Sequence, residues 1–353
     1  MLPDPAATAA TLDRFVRRLP KVQLHCHLEG TMRPQTFRAL AAERGVASAR
    51  ASGPLADTYA FGTFRDFLLT FAEVCKTLQR PEDYARLARD YVLDAAAQNV
   101  RHAELFVSPS VWTFFHAELD VAAVFAAIRA ALDEEGGRHG MSVSLICDLT
   151  RNFGLERAFA TARLAVGLAE AGTAGVIGVG LGGDEANYPP ALYRDPFAYA
   201  RAAGLHAVVH AGEAAGASSV RDAVEVLGAE RIGHGVRALE DDAVVDLLAR
   251  RAIPLELCPT SNRLTGAVAP GAPHPIAEFD ARGVRCVVDA DDPALFSTTL
   301  EAEYRIVGAQ CGEAALARFA ATAIDVSFAA PARKAELREE LAAALRDLET
   351  NAV

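Results

Sequence analysis

The chain has 353 residues, 51% hydrophobic and 23% charged, which is ample apolar material for a large core and unlike a disordered composition. Its 35 basic and 46 acidic residues leave a formal net charge of −11. That balance argues against nucleic acid or an anionic membrane as partner, because both need a basic footprint.

Six scattered cysteines without a C-x-x-C pair read as reduced thiols of a cytoplasmic protein. Asp4 stands early in an N-terminus that lacks the basic start and apolar run of a signal peptide. The uncharged stretch between Glu170 and Asp184 is too short and too glycine-rich for a membrane span.

Apolar, β-branched runs recur at residues 22–27, 100–107, 142–148, 175–181, 206–211, 231–235, 253–258 and 284–289. Most are near-continuously apolar, as parallel strands covered on both faces are. Between most of them lies an Ala/Leu/Arg/Glu-rich stretch long enough for a crossover helix. In 214–228, for example, Val220, Ala223, Val224 and Leu227 recur at helical spacing. Eight such units predict an α/β fold, a closed (β/α)8 TIM barrel, as one domain over 1–353.

The gap of about seventy residues after the first strand is longer than a standard crossover. It predicts a helical insertion over about 31–98. Within it, Phe64, Phe67, Leu68 and Phe71 follow one another at i, i+3, i+4 and i+7 in a helix over 63–78. That face suits an extra helix packed on the barrel. It equally suits a lid, since the insert leaves the C-terminal end of strand 1, where barrel active sites sit. The segment after about Phe319 reads as helical, with a charged and solvated outer face.

Metal-capable side chains stand at the C-terminal ends of four predicted strands. His25 and His27 end the first in HCHLEG, and period-two alternation turns both into the barrel. His210 and Glu213 end the fifth in HAGE, and His234 ends the sixth in RIGHG. Asp289, Asp291 and Asp292 follow the eighth in DADDP. Three neutral imidazoles and one carboxylate suit Zn²⁺ with one position left for water. We assign them as His25, His27, His210 and Asp291, with one Zn²⁺ per chain. Glu213, three residues beyond His210, is not needed as a ligand and suits proton transfer. His234 is placed to orient the attacking water, and Asp292 to face substrate. Only Lys21, Lys76 and Lys334 occur, so no lysine stands on strand 4 to be carbamylated and bridge two metals.

Other residues have structural readings. Ser261 and Asn262 either cap a turn after strand 7 or touch substrate. Asp184 and Glu185 cap the segment that follows them. Glu104 is a buried acid held by an arginine, Asp289 supports the metal ligands from behind, and alternation turns Cys26 away into packing.

HCHLEG, HAGE, RIGHG, LCPTSN and DADDP, in this order and at these separations over about residues 18–310, resemble the adenosine deaminase family. The resemblance implies a one-zinc (β/α)8 barrel with the same four ligands. It implies that Glu213 protonates purine N1 and shuttles protons, that His234 aligns the attacking water, and that Asp292 meets N7. Gly183 matches the glycine whose amide meets N3, and the Phe64–Phe71 face matches a hydrophobic lid. The implied activity is zinc-dependent removal of the 6-amino group of adenosine or a related adenine nucleoside, a small-molecule partner, giving an inosine-type product and ammonia.

Two positions depart from that family. Glu29 stands where adenosine deaminases carry an Asp that meets the ribose 5′-hydroxyl, and Gly180 stands where they often carry another Asp. Glu29 is expected among the substrate-binding residues, either reaching that hydroxyl or marking a different 5′ group or a free base. Aminodeoxyfutalosine, an intermediate of menaquinone synthesis, and adenine are the alternative substrates. A barrel metallophosphoesterase is the rival class; it needs more ligands and leaves the DADDP aspartates without a role. A non-catalytic binding barrel predicts a missing ligand, and none is missing. Oligomeric state leaves no mark on the sequence.

Overall fold

Eight strands form and pair in parallel, each with the next: β1 (Lys21–His27), β2 (Val100–Val107), β3 (Ser142–Asp148), β4 (Val176–Leu181), β5 (His206–Ala211), β6 (Arg231–His234), β7 (Leu255–Leu257) and β8 (Cys286–Val288). The computed structural model describes residues 5–350; Asp4 lies outside them. The ring is brought together through Asp291. Its N–H donates to the His25 carbonyl and its carbonyl accepts from His27 N–H, both at 3.0 Å. The architecture is the expected (β/α)8 barrel, with helices around the parallel strands.

Strand alternation sets the layers. Leu24 and Cys26 turn outward into the main apolar cluster between strands and helices. Phe106, Ile146 and Val208 form a second, smaller cluster. Phe328, in the turn between the helices Glu313–Val326 and Pro331–Thr350, packs against this second cluster. It stacks on His206 with ring centroids 3.7 Å apart, and Arg231 lies over its other side at 3.8 Å.

The last two strands are shorter than the apolar runs at 253–258 and 284–289. Pro254 has no N–H to donate to a ladder, and Pro259 opens a helix straight after Cys258. Beyond the strand ends pairing continues through single bonds, Ile232 N–H to Pro254 O at 3.0 Å and Asp289 N–H to Leu257 O at 2.9 Å. β6 stops at His234 because Gly235 turns left-handed at φ +68.

The insertion is also shorter than expected. Helix Pro81–Ala97 packs along Val121–His139 and β2, so it is the ordinary crossover of the first unit. The extra chain is the helix Pro34–Glu43, two short turns and the helix Phe64–Thr77. Thr63 caps the last of these, its hydroxyl accepting Asp66 N–H at 3.1 Å. The C-terminal helix Pro331–Thr350 buries Leu337, Leu341 and Leu348 and leaves its charged face outside, as expected.

Candidate active site

The four expected ligands converge at the C-terminal ends of β1, β5 and β8. Nε2 of His27 and Nε2 of His210 are 3.0 Å apart. Nε2 of His25 and of His27 each lie 3.5 Å from Asp291 Oδ1. Burial holds the His27 imidazole down to about 4 and lowers His210 as well, the neighbouring rings adding to it, so both rings are neutral at pH 7. Burial pushes the Asp291 carboxyl up, but the surrounding imidazoles outweigh it and hold the group well below the carboxylate range. His25 Nε2 is buried without a hydrogen-bond partner. Burial lowers the His25 ring, but the Asp291 and Glu256 carboxylates outweigh it and raise it, so a cation would take the place of a proton there. With the neutral His27 and His210 rings and the Asp291 carboxylate, these donors suit a divalent cation such as Zn²⁺. His25, His210, His234 and Asp291 make a second compatible set, their nearest donor atoms all within 4.8 Å of one another.

Two of these residues adopt a left-handed backbone that side chains rarely take, His234 at φ +64 and Asp291 at φ +62. Gly233 leaves the space that the His25 ring occupies, and Gly30 leaves that of the Asp292 carboxylate; a Cβ at either would overlap them.

Glu213 Oε2 lies 3.5 Å from His234 Nε2. Burial, with the Asp291 and Glu185 carboxylates nearby, pushes the Glu213 carboxyl up to about 8. Burial and Asp291 likewise raise Asp292, whose Oδ1 has no protein partner. Glu213 therefore favours the protonated form near neutrality.

A cavity of about 830 Å³ opens above the cluster. His27, Phe64, Phe67, Leu68, Phe71, Gly183, His210, Glu213, His234, Asp291 and Asp292 all line it. Farther out, Lys76, Phe114, Phe115 and Phe153 line its wall. Two expected residues are not in the lining. His25 lies behind it with its side chain fully buried. Glu29 is turned away, its Oε1 accepting Trp112 Nε1–H at 2.6 Å and Ser108 N–H at 2.9 Å. The geometry thus gives Glu29 a role in holding the loop after β2, its Oε2 left buried without a hydrogen-bond partner.

The supporting residues differ in part from expectation. The Ser261 hydroxyl does not cap the turn after β7; it donates to Asp291 Oδ2 at 2.6 Å. Asn262 Nδ2 meets His234 Nδ1 at 3.0 Å. Asp184 does cap its own turn, accepting Asn187 N–H at 3.2 Å. Glu185 caps a different segment. It accepts the N–H groups of Gly212, Glu213, Ala214 and Ala215 and the Ser219 hydroxyl, and so fixes the loop that carries Glu213. Asp289 Oδ1 accepts Leu24 N–H at 2.8 Å just before His25, and Cys26 is packing.

Glu256 and Asp148 had no motif to mark them, and Arg231, though inside RIGHG, had no role assigned to it. Glu256 Oε2 accepts from His25 Nδ1 at 2.7 Å, which turns Nε2 towards the cluster. Arg231 then bridges Glu256 and Glu104, at 2.5 and 2.6 Å. Asp148, at the end of β3, is buried in the cavity wall with Oδ1 unpartnered, and burial pushes its carboxyl up to about 6. The only sequence signal of Glu256 and Asp148 was a charge inside an otherwise apolar strand.

The family model described as adenosine deaminase matches residues 20–344. The chain is 38% identical to an adenine deaminase of Rhodospirillum rubrum, over 93% of this chain and 98% of that one. It is 36% identical to an aminodeoxyfutalosine deaminase of Streptomyces avermitilis, over 95% and 94%. An amidohydrolase structure from Burkholderia ambifaria, with bound Zn, superposes with a TM-score of 0.84 at 28% identity, covering 97% of this chain and 96% of that one.

Proposed function

The chain belongs to the adenosine deaminase family, and on that premise we propose that it is a zinc-dependent hydrolase that removes the 6-amino group of an adenine nucleoside. The observation that carries the reading is the cavity. It has an acid of raised pKa and a four-ligand cluster at its floor, and room beyond a purine ring for a substituent. Held by His25, His27, His210 and Asp291, one Zn²⁺ per chain supplies the charge that makes water a nucleophile at neutral pH.

The remaining work falls to the chain's own groups. Glu213, protonated near neutrality, gives its proton to purine N1 and makes C6 more electrophilic. His234 Nε2–H orients the incoming water. As water adds at C6, Glu213 takes a proton from it and passes one to the amino group, which leaves as ammonia while the C6 hydroxyl returns its proton to Glu213 and becomes the carbonyl. Asp292 holds N7, and the Gly183 amide meets N3. The helix Phe64–Thr77 is the lid that excludes bulk water. The described chain acts as one catalytic unit in a reducing compartment, its cysteines free, and no described helix is long and apolar enough to cross a membrane.

Free adenine is the second reading, favoured by the burial of Glu29 against Trp112, which leaves no carboxylate at that position for a ribose 5′-hydroxyl. Ammonia release by the zinc-loaded protein from adenosine, aminodeoxyfutalosine and adenine, side by side, tests the proposal. Preference for adenosine or aminodeoxyfutalosine supports the nucleoside reading, preference for adenine supports the second, and no release from any of the three overturns both.

A further inference from the structure

We infer that His274 and Asn262 are positioning residues that hold His234 as its Nε2–H tautomer and thereby keep it out of the metal's ligand set. The inference rests on the proposed role of His234.

The direction of the hydrogen-bond chain is fixed at its far end by a group that can only donate. Ile276 N–H lies 3.3 Å from His274 Nδ1, so Nδ1 accepts. Burial holds the His274 ring neutral, at about 3, so its one proton sits on Nε2. That nitrogen is 3.0 Å from Asn262 Oδ1. Asn262 therefore presents its amide nitrogen, which only donates, to His234 Nδ1 at 3.0 Å. His234 Nδ1 must accept, and its proton is left on Nε2, which faces Glu213 Oε2 at 3.5 Å and Asp291 Oδ2 at 4.0 Å. All three side chains are buried, so water does not compete for these bonds. The loop bearing His274 is itself held, its carbonyl accepting from Gln310 Nε2 at 2.6 Å.

The consequence concerns the two compatible ligand sets. His234 stands close enough to His25, His210 and Asp291 to join them around a cation. A ring nitrogen that carries a proton has no lone pair to give. The chain from Ile276 thus sorts the histidines, with His27 left free to ligate and His234 made a donor. With the other tautomer, Nε2 would turn a lone pair towards two carboxylates, or bind the cation itself, and the attacking water would lose its orienting N–H.

The test is ¹⁵N–¹H correlation of the imidazoles in the zinc-loaded protein, with His234→Gln to assign its signals. A proton on His234 Nε2, with Nδ1 shifted as an acceptor, is expected; a proton on Nδ1 overturns the inference. Asn262→Asp offers an acceptor to Nδ1, so it moves the proton there. It should lower kcat by about 10²–10⁴-fold, the span of a positioned proton donor, with KM nearly unchanged and zinc held at least as tightly against a chelator. His274→Leu frees the amide to flip and should cost about tenfold in kcat, while His274→Gln, which can still donate to Asn262, should restore most of it. Asn262→Asp within about threefold of the parent kcat would also overturn the inference. If the unmodified protein deaminates nothing, the proposed function fails, and the tautomer measured on it still decides this point independently.

Discussion

Beneath the histidine cluster, Arg231 lies between Glu104 and Glu256, and every charge has an opposite one in contact. Above it, Asp292 and Asp148 are buried too and Glu213 nearly so, yet among the described residues no cation pairs with Glu213 or Asp292. The same side chain responds in opposite ways. Burial pushes Glu104 up, but the Arg231 charge and the His102 and Phe328 bonds outweigh it and bring the carboxyl down to about 2. Burial of Glu213 is reinforced by carboxylates, and it rises to about 8. Burial alone therefore does not mark a functional acid. An acid buried and left without a counter-charge, on a cavity wall, does.

If that contrast is right, substitutions in the two regions fail differently. Glu213→Gln should lower kcat by about 10²–10⁴-fold while zinc content and thermal stability stay at or above the parent's, because a costly buried acid is gone. Ammonia release and metal analysis check it, and retained turnover would remove Glu213 from the mechanism. Arg231→Met should do the reverse. It leaves Glu104 and Glu256 unpaired and should cost about 3–5 kcal/mol in urea unfolding, with part of the loss regained on adding Glu104→Gln.

Glu256→Gln lies on the border between the regions. It keeps the shape but weakens the acceptor behind His25, so zinc affinity in chelator competition should fall about 10–100-fold. A smaller effect separates the regions by pH. Glu104, depressed in the fold, stabilises the protein above about pH 4.5, and that contribution is lost as pH falls towards 2. Glu213, raised in the fold, acts with the opposite sign, and stability is lost as pH rises from about 4.5 to 8. In the metal-free protein, Glu213→Gln should therefore gain stability over the parent as pH rises from 5 to 8, followed by thermal unfolding. A gap that does not widen would place the Glu213 pKa near its ordinary value.

What could be read from the sequence follows from how each feature is encoded. The barrel shows because eight apolar runs repeat, and the histidines and aspartates that converge show because strand ends carry HCHLEG, HAGE, RIGHG and DADDP. The cavity lining of Phe64, Phe67, Leu68 and Phe71 shows because helical spacing is local. Contacts between distant strands leave no such period. His25 and Glu256 are 231 positions apart, and no spacing rule joins them. Glu185 looks like a local cap but reaches across to the loop after β5. Asn262 and Ser261 could be seen as polar residues at a strand end, but their partners, His234 and Asp291, could not. Glu29 misled because its neighbour Trp112 comes from a different unit of the barrel.

Phe328 has a consequence for how the protein is made. Its N–H donates to Glu104 at 2.5 Å, and its ring is sandwiched between His206 and Arg231. Arg231 leads through Glu256 to His25, so support for the first histidine of the cluster to leave the ribosome is completed by a residue about three hundred positions later. At about 5–20 residues per second, translation separates the two by some tens of seconds. Over that interval the nascent chain holds the histidine pair, and later Arg231, without their final packing, and the floor is sealed only when the C-terminal turn arrives.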